Sequence, residues 1–132
     1  MFGPMTGTST PSNPIFTAFE KNGLHVTMEL IKTDTTDPRK SDIKCRFTNS
    51  GRVDLTGLNF QAAVPKFVTL VMNPPSGVVI PKANAGSVEQ VISVTNTQLN
   101  VKNLMLKMKI QYMINGQQII EQAQVNTFPS GY

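Results

Sequence analysis

Tryptophan is absent from the 132 residues, and cysteine and histidine occur once each. Each scarcity removes a class of chemistry. A lone Cys45 excludes an internal disulfide, and one His with one Cys cannot furnish a tetrahedral zinc site. Asp34, Asp37 and Asp42 lack the glycine and terminal glutamate of a calcium loop. No glycine-rich stretch opens a helix to cradle a phosphate, so Asn49-Ser50-Gly51 reads as a turn. No apolar run approaches the ~20 residues of a membrane-spanning helix, and the N-terminus has no charged segment leading into an apolar one. No Asn opens an N-glycosylation acceptor site, which together with the single Cys is in keeping with a cytosolic protein.

Nucleophilic catalysis has one conceivable pair, Cys45 with His25 as base. The alternation of their segments turns Cys45 inward and His25 outward, so the expected state of the thiol is a small buried core group. No catalytic residue and no cofactor is therefore expected. A small hydrolase is the most distant reading. The net charge of +4 comes from lysines scattered singly among apolar residues, with no basic block and no interleaved aromatics. Such a surface favours acidic partners weakly and gives no reason to expect nucleic acid.

What is present is period-two alternation. At 39% apolar and 15% charged, the chain suits one folded domain. Residues 1–14 (MFGPMTGTSTPSNP) are rich in Gly, Ser, Thr and Pro without periodicity and read as a hinge or linker, leaving 15–132 as the domain. Leu24, Val26, Met28 and Leu30 alternate with His25, Thr27 and Glu29, as in a half-buried strand. Asp42 to Thr48 repeats the pattern through Ile43, Cys45 and Phe47. The alternation is clearest from Leu104 to Tyr112, where Leu104, Leu106, Met108 and Ile110 face one way and Met105, Lys107 and Lys109 the other. Asn115-Gly116 predicts a tight hairpin joining this strand to Gln118–Val125, and Asn22-Gly23 predicts another joining Ile15–Lys21 to Leu24–Lys32, because both turn positions tolerate positive φ. No helical stripe runs for ten residues. The expected fold is all-β, a two-sheet antiparallel sandwich.

The segment Phe60-Gln61-Ala62-Ala63-Val64-Pro65-Lys66, followed by a short strand and the Pro-Pro-Ser-Gly loop at 74–77, resembles the ear domains of gamma-adaptin and GGA-type clathrin adaptors. Lys21-Asn22-Gly23-Leu24, the stretch Gln90 to Asn96 and the ending Val125-Asn126-Thr127-Phe128-Pro129 agree with it in order. The resemblance implies an immunoglobulin-like sandwich of about eight strands with no enzymatic activity. It further implies a cytoplasmic domain, peripheral on trans-Golgi and endosomal clathrin coats and touching membrane only through the coat. The implied partners are accessory proteins carrying short acidic motifs: an aromatic residue, Gly, then Pro, Asp or Glu, then a large apolar residue. Carried over by position, the peptide-binding residues are Ala63, Lys66, Met72, Pro75, Met105, Lys107 and Lys109. This chain departs from the family by having Met105 and Lys107 where arginines are common and Gln124 where an acid is common. Lysine lacks the planar guanidinium that stacks on an aromatic ring, so motif preference is expected to differ.

FQAAVPK and VNTFP lean towards a gamma subunit as the parent chain, although PPSG also occurs in the monomeric GGA type. From a different class, a sandwich acting only as a spacer remains the alternative. Finally, Phe2-Gly3-Pro4-Met5 itself fits the ligand pattern, which makes the tail a candidate ligand for its own or a neighbouring domain.

Overall fold

A computed structural model describes residues 13–132; the Phe2–Met5 tetrad lies outside them. Eight strands follow in order: β1 (Ile15–Lys21), β2 (Leu24–Lys32), β3 (Lys40–Asn49), β4 (Thr56–Ala63), β5 (Val68–Met72), β6 (Val88–Asn96), β7 (Leu106–Ile114) and β8 (Gln117–Val125). They form a five-stranded sheet, β1-β2-β3-β6-β5, packed on a three-stranded sheet, β4-β7-β8, with every pairing antiparallel. The described residues contain no helix.

Both Asn-Gly hairpins form as expected. Asn22 and Gly23 have φ of 56° and 84°, and Asn115 and Gly116 have 52° and 78°, the left-handed pair whose twist matches that of the flanking strands. The strand expected from Leu104 to Tyr112 is displaced by two residues. Pairing with β8 begins at Leu106 opposite Val125 and runs to Ile114 opposite Gln117, so that the ladder closes directly on the turn. Leu104 is buried but lies outside the ladder, its N–H bonded to the Tyr132 carbonyl at 3.2 Å.

Alternation fills the space between the sheets. Leu24, Val26, Met28 and Leu30 of β2 and Ile43, Cys45 and Phe47 of β3 meet Leu58 and Phe60 of β4 and Leu106, Met108, Ile110 and Tyr112 of β7, all buried. Phe47 and Phe60 join the two layers edge to face, with ring centroids 5.3 Å apart. The C-terminal segment closes one corner, where Phe128 packs edge-on against Phe16 at 5.4 Å and Lys32 donates to the Gly131 carbonyl.

Two buried asparagines organise the loops. Asn49 donates to the carbonyls of Val53 and Ile80 and accepts from the Gly51 N–H. Asn96 donates to the carbonyls of Lys102 and Tyr132, both at 2.8 Å, and accepts from the Gln98 N–H. Buried amides retained inside a sandwich must be satisfied in this way, and among the described residues no buried side-chain nitrogen or oxygen lacks a partner. Asn96 thereby fixes the β6–β7 loop that leads into Met105.

Candidate functional site

The three-stranded sheet exposes its outer face, and the ladder registers decide which residues meet there. Ala63 of β4 lies opposite Lys107 of β7, which lies opposite Gln124 of β8; one step along, Gln61, Lys109 and Gln122 form a parallel row. Two depressions flank the first row. One, of about 570 Å³, is lined by Gln61, Ala63, Lys107, Lys109, Gln122 and Gln124 with the strand backbones beneath them. The other, of about 350 Å³, is lined by Ala63, Val64, Pro65, Met105, Leu106, Lys107 and Gln124. The Ala63–Lys107–Gln124 row borders both.

Side-chain size explains the shape. Ala63 adds only a methyl group beside the long stem of Lys107, so the surface dips wherever a larger residue would have filled it. The flexible thioether of Met105 and the ring of Pro65 give the second depression apolar walls, while the lysine stems line the first and leave their ammonium groups to water.

Among the residues lining either depression there is no Asp or Glu. Glu121, the carboxylate of β8, alternates to the opposite side of its sheet. There Lys21 Nζ and Asn22 Nδ2 each lie 3.3 Å from one of its oxygens. The depressions therefore carry uncompensated positive charge, which suits an acidic ligand with an apolar or aromatic anchor.

Of the seven residues expected here, Ala63, Met105, Lys107 and Lys109 come together. Lys66 is exposed in the turn that follows Pro65, closed by the Val68 N–H bonding to the Pro65 carbonyl at 3.0 Å. Met72 and Pro75 line neither depression. Met72 ends β5 in the five-stranded sheet, half-buried against the core, and Pro75 is exposed in the loop beyond it. Sequence reading did not single out Gln61, Gln122, Val64 or Pro65 as site residues. The alternation in Gln122-Ala123-Gln124 carried the signal for the outward amides.

The other candidate chemistry has no geometry behind it. His25 points outward from β2, its Nε2 2.9 Å from Thr17 Oγ1, while Cys45 is fully buried on the inner face of the same sheet. Burial pushes the Cys45 thiol up to about 12, far from a nucleophile's range. Among the described residues no three His, Cys, Asp or Glu side chains cluster as metal ligands.

The architecture is a disulfide-free antiparallel sandwich with an open cationic surface on its smaller sheet. A profile of the adaptin C-terminal domain matches residues 14–129. The AP-1 complex subunit gamma-2 of Arabidopsis thaliana is 36% identical over 98% of this chain, and the AP-1 complex subunit gamma of Dictyostelium discoideum is 36% identical over 81% of it. The chain spans 15% and 12% of the length of those two relatives. In structure, the yeast GGA1 GAE domain superposes with a TM-score of 0.79 at 21% identity, covering 89% of this chain and all of that one. The GAE domain of Saccharomyces cerevisiae GGA2p gives 0.73 at 25% identity over 88% of this chain and 98% of its own. The chain belongs to the adaptin C-terminal domain family, as an ear of the gamma-adaptin and GGA type.

Proposed function

We propose that this domain is the appendage of a clathrin adaptor and captures short acidic phenylalanine motifs: an aromatic residue, Gly, then Pro, Asp or Glu, then a large apolar residue. The observation that carries this reading is the pair of depressions bordered by Ala63, Lys107 and Gln124, lined by lysine stems and free of carboxylates. An aromatic ring seats beside Ala63 against those stems, the following apolar residue meets Met105 and Pro65, and the ammonium groups of Lys107 and Lys109 attract the acidic neighbours. Lys66 extends that positive field. Met72 and Pro75 belong to the same reading as a more distant wall.

Such a motif buries far less than the ~1,200 Å² of a standard interface, so one site binds at roughly micromolar strength or weaker, and avidity comes from a coat presenting many ears. In the cell the domain then brings accessory proteins to clathrin coats on the trans-Golgi network and endosomes, peripheral to the membrane. The ear occupies residues 15–132 behind a linker of residues 1–14, and the Phe2-Gly3-Pro4-Met5 tetrad of that linker competes for the same site. Identity of 36% with the AP-1 gamma-2 subunit of Arabidopsis thaliana and the AP-1 gamma subunit of Dictyostelium discoideum, against 21% and 25% with the two yeast GGA domains, favours a gamma subunit as the parent.

The test is a calorimetric titration of an acidic peptide containing Phe-Gly-Pro-Leu. Saturable binding that disappears in Lys107→Glu supports the reading. A wild-type domain that leaves the peptide unbound refutes it and favours a spacer role.

A further inference from the structure

The outer face of the small sheet continues well past the two depressions. Beyond Lys109, β7 presents Gln111 and Met113; beyond Gln122, β8 presents Ile120 and Gln118; and β4 presents Asn59 opposite Gln111 and Thr56 opposite Met113. None of these is charged, and amide side chains form a lane between the lysines at one end and Met113 and Ile120 at the other.

Met113 and Ile120 are 40% and 50% exposed, the two large apolar side chains left open on this face. Gln111 pairs with Ile120 and Met113 with Gln118, so Met113 and Ile120 are diagonal neighbours, within mutual reach. The β4 strand is irregular alongside them. A register shift falls between Thr56 and Asn59, and Gly57 has a φ of 62°. A Cβ at position 57 would stand 3.8 Å from Met113 Cγ. Only the small Thr56 stands opposite Met113 in the ladder, and Gly57 adds no side chain beside it.

We propose that Met113 and Ile120 form a second apolar subsite for the same extended segment that docks at Lys107, an inference that rests on the docking reading above. Two features select this occupant. The patch is continuous with the depressions across an uncharged stretch of the same face, and the amides of Gln61, Gln111 and Gln122 offer both donors and acceptors to an extended backbone lying along it. From Lys107 to Met113 is six residues of strand, about 20 Å at ~3.3 Å per residue. An extended ligand covers that span in about the same number of residues. The preferred partner therefore carries a large apolar residue about six positions from its aromatic anchor, with polar residues between them and acidic ones clustered near the anchor.

The experiment uses an acidic Phe-Gly-Pro-Leu peptide and two longer peptides, extended by six residues before or after the Phe and ending in Leu. Each longer peptide has a twin with Ser in place of that Leu. One Leu peptide is expected to bind roughly fivefold more tightly than its Ser twin, a gain reduced from full Leu burial by the ordering of the added chain. That gain is expected to vanish in Ile120→Asp and Met113→Asp while both variants bind the short peptide as the wild type does. Equal affinity of both Leu peptides and their twins, with the short peptide still bound, overturns the subsite alone. A gain that survives both substitutions also overturns it, because the Leu then docks elsewhere. Failure of the short peptide to bind wild type removes the docking reading and this inference with it.

Discussion

Lys107 stands directly opposite Ala63 in the β4–β7 ladder, so a long cationic side chain has a methyl group for its neighbour. The depressions on both sides depend on that inequality. Charge reversal at Lys107 is expected to weaken an acidic phenylalanine peptide at least tenfold, by calorimetry. Because the side chain is exposed, the thermal midpoint should remain within the change given by ~0.5 kcal/mol.

Filling the low point tests shape separately from charge. Ala63→Phe leaves every lysine in place but puts a ring where a ligand's ring would sit. Peptide affinity should fall by an order of magnitude or more, while its salt dependence, set by the unchanged lysines, persists. An unchanged affinity would mean that the ligand docks elsewhere.

Asn96 acts on the site from a distance. Replacing it with Ala removes the partner of the Lys102 and Tyr132 carbonyls and of the Gln98 N–H at once. Unpaired buried polar groups cost about 1–3 kcal/mol each, less where water can enter. Denaturant titration of Asn96→Ala should show a loss of roughly 2–4 kcal/mol, with greater proteolytic sensitivity in the loop before Met105.

The buried thiol sets an alkaline limit. Cys45 has its pKa raised to about 12 in the fold from an ordinary value of 9.0. For a group raised on folding, the contribution to stability is intact below the unfolded value and is lost as pH rises towards the folded one. Between about pH 9 and 12 this one group should lower unfolding stability by at most ~1.4 kcal/mol per pH unit. Cys45→Ala starts lower because of the cavity but should lack that increment of slope; parallel slopes for the two proteins would disprove the assignment.

The corner packing gives a third stability test. Phe128→Ala removes the edge-on contact with Phe16 and a buried ring, and should cost about 3–5 kcal/mol by denaturant titration.

Much of the sandwich was legible because a two-residue period and Asn-Gly turns are local signals. Asn22-Gly23 and Asn115-Gly116 are the hairpins they appear as in sequence, and β2, β3 and β7 bury the residues that alternation selects. The start of β7 was not legible. Leu104 and Leu106 are equally apolar, but pairing with β8 ends at Leu106 opposite Val125 and the Leu104 N–H goes to the distant Tyr132 carbonyl. The site was half legible for the same reason. Alternation turned Lys107 and Lys109 outward, but opposing Ala63 to Lys107 and Gln124 requires two cross-strand registers between segments far apart in the chain. Met72 lies near Ala63 in sequence, yet the crossing after Pro65 carries it to the other sheet.

The described residues begin and finish at one corner. The Leu30 N–H bonds to the Pro14 carbonyl, Phe16 meets Phe128, and Lys32 reaches Gly131. A pull applied between Asn13 and Tyr132 consequently loads that corner and not the length of either sheet. Its bonds are expected to break in succession, with β1 unzipping from β2 one rung at a time, so that under tension the domain should act as a fuse and not as a strut.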